Sequence, residues 1–224
     1  MSISVFIVFI EIGYRLRRKL IKGGFMIRII LCLLVCAGYS EEKKPIKVKG
    51  LTEKEFKRIV AAKGDKKPLI KELLIYSQKK ISSSTINYNL PNGVHLKIKT
   101  KNESKTVDGK YIATTFKTIK TFVDGKEQTE DNKGLVAQNI VYYDKKLKKF
   151  VCQWKFTHEK FSSARVNTGK LKDKSTVIWY CPLKDDGYAI CTEKISEKMI
   201  FTSEKYYDKD KKYIYSGSVT TVYE

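Results

Sequence analysis

Histidine, arginine and proline are all scarce in this chain. It has only two histidines, His95 and His158, and neither has Cys, Asp or Glu at ligand spacing, which excludes a histidine-based metal centre of ordinary pattern. Both are expected as exposed strand residues. Past residue 40 the only arginines are Arg58 and Arg165, against a large excess of lysine. Arginine grips phosphate with two parallel hydrogen bonds, whereas lysine is a hydrated point charge that any solvated strand face can carry. Specific nucleic-acid recognition is therefore not expected, although Lys and Tyr alternate from Tyr206 to Tyr215 as on a stacking surface. The serine runs Ser82 to Ser84 and Ser162 to Ser163 lack the glycine-flanked elbow of a hydrolase nucleophile and read as strand or turn residues. With no acid, base or nucleophile set to assemble, no enzyme activity and no cofactor are expected.

What is present begins with charge. The formal net charge is +21 over 224 residues. The first 40 residues account for six basic and one acidic side chain, so the rest carries +16. That remainder is long enough for one domain with its own core. Its charge suits solubility and attraction to an anionic envelope surface, polysaccharide or membrane.

Residues 26–40 have the form of a secretory signal peptide: Arg28, an apolar run from Ile29 to Ala37, then small residues at Ala37, Gly38 and Ser40. Cleavage after Ala37 or Ser40 and a secreted or periplasmic destination are expected. Lipid anchoring at Cys36 is disfavoured by Val35, where a small residue is needed. Residues 1–25 hold the short apolar stretch Ile3 to Ile10 and the basic run Arg15, Arg17, Arg18 and Lys19. They read as an upstream extension, with Met26 as the start; a two-part targeting region or anchor is the alternative. Residues 41–50 form an extended leader.

Residues 51–76 carry two short helices. Thr52 and Glu55 fit a capping box, with Leu51, Phe56, Ile59 and Val60 on one face; Pro68 suits the first turn of a second helix bearing Leu69, Leu73 and Leu74. From about Lys79 to the end the apolar period becomes two. Turn signals recur at Pro91-Asn92-Gly93, Asp108-Gly109, Asp124-Gly125, Asp144 to Lys148, Asp185-Asp186-Gly187 and Asp208 to Lys211. Between them fall nine or ten hairpin-linked strands with no helical crossover. Residues 77–224 are thus expected as a mainly β domain, an antiparallel up-and-down barrel. On the strand Phe150 to Phe156, the residues Phe150, Cys152, Trp154 and Phe156 share one face.

Several motifs carry a resemblance: Asp108-Gly109-Lys110-Tyr111-Ile112, Tyr143-Asp144, Lys149-Phe150-Val151 with Trp154, Gly169, and Tyr207-Asp208-Lys209-Asp210. Over residues 76–222 the chain resembles a bacterial family of secreted lipocalin-like barrels of unknown function. The resemblance implies a calycin-type barrel with no assigned reaction. Such barrels open with Gly-x-Trp, where this chain has Ser77-Gln78-Lys79-Lys80.

Tyr111, Phe116, Tyr142, Trp154, Phe156 and Trp179 are the large aromatics expected to line the barrel interior, with Arg165 as a polar anchor. Two readings stay open: a filled core, or a mouth that holds a small amphipathic ligand. A surface adhesion or structural role through the Lys and Tyr faces is the alternative function. Past residue 40 the cysteines are Cys152, Cys181 and Cys191, an odd number that suggests one disulfide and one buried thiol. A three-residue loop Asp185-Asp186-Gly187 sets Cys181 directly opposite Cys191 and allows a bridge, with Pro182 as the objection; a four-residue loop turns the thiols to opposite faces. Oligomeric state is left open.

Overall fold

The computed structural model describes residues 48–76, 81–128, 136–157, 159–160, 164–183 and 186–223. The expected signal peptide and upstream extension, together with His158, Ser162 and Ser163, lie outside the described residues.

Eleven strands form one sheet: β1 (Ile81–Asn89), β2 (His95–Val107), β3 (Tyr111–Val123), β4 (Lys126–Glu127), β5 (Val136–Asp144), β6 (Lys149–Phe156), β7 (Arg165–Asp173), β8 (Thr176–Pro182), β9 (Tyr188–Ile195), β10 (Met199–Tyr207) and β11 (Tyr213–Tyr223). All pairings are antiparallel, and each long strand pairs with the next in sequence. β1 pairs with both β2 and β11, so the sheet closes on itself as a barrel of ten strands. β4 is a two-residue stub that extends β3 through Asp124-Gly125. Both turn residues have positive φ, 49° and 79°, the type I′ geometry whose twist suits a two-residue hairpin. The fold is the expected mainly β, antiparallel up-and-down barrel.

Alternation sorts each strand into an inner and an outer face. In β2, Leu96, Ile98, Thr100 and Asn102 are buried while Lys97, Lys99 and Lys101 are exposed. The registers carry that parity from strand to strand around the barrel.

Helix α1 (Glu53–Ala61) begins at the expected capping box: Thr52 N–H donates to Glu55 Oε2 (2.9 Å) and Glu55 N–H to Thr52 Oγ1 (3.3 Å). Its Phe56 and Ile59 are buried on the outside of the barrel against Val107, Ala113 and Ile140. Lys105 Nζ donates to the carbonyls of Val60 and Ala62, which holds the helix's carboxyl end to β2. Ahead of the helix, Leu51 and Gln153 exchange two hydrogen bonds, N–H to Oε1 at 2.7 Å and Nε2 to O at 3.2 Å. Gln153 thereby spends its buried amide on the outer face of β6.

The second helix is shorter than expected, a 3-10 helix at Lys71–Tyr76. Ile70 N–H donates to Gly109 O in the β2–β3 turn (2.9 Å), which keeps the chain extended after Pro68 and delays the first helical turn. Leu73 and Tyr76 are buried, whereas Leu74 is exposed. β7 continues through Gly169, which lies beneath the ring of Trp179.

Two interior glycines are fixed by such contacts. A Cβ on Gly169 would lie 2.7 Å from Trp179 Cε3, and one on Gly217 would lie 2.2 Å from Tyr88 Cδ1 and Cε1. Gly217→Ala is expected to destabilise the protein by about 1–3 kcal/mol through overpacking, read as a lower urea midpoint with unchanged slope. A midpoint within error of the parent would mean that the Tyr88 ring is free to swing away.

Candidate functional site

The interior of the barrel brings together aromatic and unusually polar side chains. Its closed end is stopped by Tyr76, whose ring meets Phe150 edge-on with centroids 5.8 Å apart. The Tyr76 hydroxyl donates to Glu193 Oε1 at 2.6 Å, and Trp179 Nε1 donates to the same oxygen at 3.2 Å. Tyr76, contributed by the segment ahead of β1, thus closes an end for which the first strand supplies no tryptophan. Beside it, Asn102 Nδ2 donates to Ser82 Oγ (3.2 Å) and Ser84 Oγ (2.7 Å), and Ser84 shares a 2.8 Å hydrogen bond with Thr221. Ser82 and Ser84 are therefore structural residues of a strand.

A second carboxylate, Glu204, lies further in. Tyr206 donates to its Oε2 at 2.8 Å, and Tyr88 approaches the same oxygen at 3.5 Å. Tyr206 and Tyr215 face each other across β10 and β11 with centroids 4.4 Å apart and rings parallel to 1°. Burial pushes the Tyr215 hydroxyl up, as does the charge of Glu204, against the opposing pull of Arg165.

A further group of inward-facing residues lies towards the end of the barrel where β6 finishes and β7 begins. In register across three strands, Asn139 faces Trp154 and Trp154 faces Arg165. Trp154 is 2% exposed and Asn139 1%. Phe116 packs on Trp154 with centroids 5.0 Å apart, and Phe156 is buried one step nearer the rim. Among the described residues neither Nδ2 nor Oδ1 of Asn139 has a hydrogen-bond partner. Leaving such groups unsatisfied costs about 1–3 kcal/mol apiece.

Of the residues expected inside, Phe116, Trp154, Phe156, Arg165 and Trp179 do face inward, but Trp179 belongs to the closed end with Glu193. Tyr111 and Tyr142 do not. They are paired in register on the outer face, with rings 5.9 Å apart, packed against the cluster under α1. The inner residues of β3 are Ile112, Thr114 and Phe116, so Tyr111 points outward by parity; Tyr142 follows Val141 in the same way. Asn139, Glu193, Glu204 and the inner tyrosines were missed because polar residues at inward positions read as breaks in an apolar pattern. Their parity with neighbours such as Cys191 and Ile195 was the available signal.

The cysteine register also differs from both expected loops. Cys181 faces Ala189 and Pro182 faces Tyr188, which leaves Cys181 and Cys191 as diagonal neighbours on the inner face. They form no disulfide, with Sγ atoms 3.6 Å apart, and Cys152 is likewise unbridged and buried. Leu183 N–H donates to Gly187 O (2.9 Å), so Pro182 falls at a non-hydrogen-bonded pair and its missing N–H costs β9 nothing. Burial holds the Cys152 thiol well above its ordinary value; contact with Cys181 and then burial do the same for Cys191. Among the described residues no three His, Cys, Asp or Glu side chains cluster to hold a metal, and no helix is long and apolar enough to cross a membrane. His95 is exposed, with Nδ1 2.6 Å from Asn89 Oδ1.

No protein-family model matches the sequence, and no curated protein matches it. Among solved structures it is similar to the S-type phycobiliprotein lyase CPES from Guillardia theta, at 8% identity and a TM-score of 0.47, over 68% of this chain and 92% of the lyase. No residue role is carried across from that likeness.

The buried tyrosines set a limit at alkaline pH. Burial first, then Glu193 for Tyr76 and Glu204 for Tyr88 and Tyr206, raises all three hydroxyls well above their ordinary value of 10.0. Below that value both folded and unfolded chains keep these protons, and the stability they support is complete. Above it the unfolded chain loses them first, so stability falls by about 1.4 kcal/mol per pH unit for each tyrosine. The phenolate absorbance of these residues is expected to rise in one cooperative step with loss of the fold. A gradual rise with the fold intact would contradict the burial.

Proposed function

We propose that the barrel is a binding module for a small amphipathic molecule. Its polar end meets Asn139, Trp154 and Arg165, and its apolar part lies against Phe116 and Phe156. The observation that carries this reading is the Asn139 amide, 1% exposed with neither polar atom hydrogen-bonded, set in register beside an indole N–H and a guanidinium. A purely structural interior would gain by replacing that amide with a hydrocarbon, so its retention points to a group that bonds it. A binding role rather than a catalytic one fits the thiols, since Cys152 and Cys191 are held in the protonated, unreactive form. Work outside the cytoplasm is part of the proposal and rests on the signal-like residues 26–40.

Titration with anilinonaphthalene sulfonate, followed by its emission and by tryptophan quenching, tests the reading. Saturable binding at one site is expected. Asn139→Leu is expected to weaken it by about tenfold, ~1.4 kcal/mol, while leaving the urea midpoint unchanged or higher. A lower midpoint with unchanged affinity would make Asn139 a structural residue and overturn the site.

A further inference from the structure

The outer face of β1, β2 and β3 carries charge in an arrangement that folding alone does not favour. Lys99 lies directly opposite Lys120, and Lys101 directly opposite Lys117. All four are exposed, and so is Lys97 one step along β2. Like charges placed directly across a strand pair repel, and their neighbourhood does little to compensate. Lys120 has Glu127 at 3.1 Å, while among the described residues no carboxylate pairs with Lys97, Lys99, Lys101 or Lys117; Glu103 lies beyond Lys101 at the far end.

The same face holds a groove of about 540 Å³, lined by Asn87, Asn89, His95, Lys97, Lys99 and Phe122. Its contents are ordered by the register: Asn89 faces His95, and Asn87, Lys97 and Phe122 form one row across the three strands. One stretch of surface therefore combines ammonium groups, carboxamides, an imidazole and a half-buried aromatic ring. Successive lysines on β2 stand about 7 Å apart along the strand, and neighbouring strands about 5 Å apart. A linear chain lying along β2 would meet a positive charge at each of these steps and leave the groove at Lys101.

We propose that this face binds a linear acidic polysaccharide. Its carboxylates or sulfates would meet Lys97, Lys99, Lys101, Lys117 and Lys120; its hydroxyls would meet Asn87, Asn89 and His95; and one sugar ring would rest on Phe122. The composition argues against the other polyanions. The face has no arginine to grip phosphate with paired hydrogen bonds. Among the described residues Ile119 is the one large apolar side chain it exposes for insertion into a lipid surface. The proposal is independent of the interior site.

The test uses the full chain with polygalacturonate and dextran sulfate as probes, neutral dextran as control and anionic phosphatidylglycerol vesicles as the competing surface. Both acidic polymers are expected to bind, more weakly as salt screens the lysines, and neutral dextran is not. Replacing Lys97, Lys99 and Lys101 together by Gln is expected to lower affinity at least about tenfold. The same replacement at Lys170, Lys172 and Lys174, exposed residues of β7 and its turn with an identical change in net charge, is expected to change it less than about twofold. Phe122→Ala is expected to lose severalfold with no change in charge. The groove triple should keep or raise its melting temperature, because opposed lysines have been removed, and should bind anilinonaphthalene sulfonate as the parent does. Equal losses from the two triples, no binding of either polymer at low salt, or tighter binding to vesicles than to either polymer would each overturn the proposal.

Discussion

The pairing of β1 with both β2 and β11 is the constraint on which everything else in this protein rests. While those edges are apart, no strand has a fixed inside. Once they meet, parity is set all round the barrel, and each residue is committed either to the interior or to solvent. Slipping one strand by a single residue would carry Lys97, Lys99 and Lys101 inward and turn Leu96 and Ile98 out, so the register is held by the cost of burying ammonium groups as well as by the gain from burying apolar ones. The Ser84–Thr221 and Asn102–Ser84 hydrogen bonds sit on the inner side of that seam and fix its register locally.

Closure also explains why so polar an interior is tolerable. At the stopped end the Glu193 carboxylate takes a phenol from the 3-10 helix and an indole from β8, partners that only closure brings together. Towards the other end, Asn139 has neither polar atom hydrogen-bonded among the described residues. Outside, α1 and Leu51 just ahead of it cover part of β2, β3, β5 and β6, while the lysine-rich face of β1 to β3 is left to solvent.

Much of this was legible in the sequence because it is local. The capping box at Thr52 and Glu55, the Asp124-Gly125 hairpin and the shared face of Phe150, Cys152, Trp154 and Phe156 each depend on residues a few positions apart. What failed depended on long-range geometry. Tyr111 and Tyr142 look like interior aromatics until the parity of Ile112 and Val141 is known. The delayed 3-10 helix follows from a hydrogen bond between Ile70 and Gly109, which no helix signal records. The Cys181 register turned on the length of one loop, where a shift of a single residue changes which thiol faces which. Of the candidate site, Trp154, Phe156, Phe116 and Arg165 were readable as rare or bulky residues, but Asn139 was not, since an asparagine in a strand carries no signal until its partner across the barrel is seen.

The stopper at the closed end has a kinetic consequence. Tyr76 leaves the ribosome well before its partner Glu193, which lies 117 residues later, and the Ser84–Thr221 bond spans 137 residues. Neither contact can form until nearly the whole barrel has been made. Contacts so distant in sequence make folding slow, because the entropy of closing long loops must be met before the contacts repay it. The barrel is thus obliged to wait for β11, so the nascent strands β1 to β10 emerge and remain without a closed barrel.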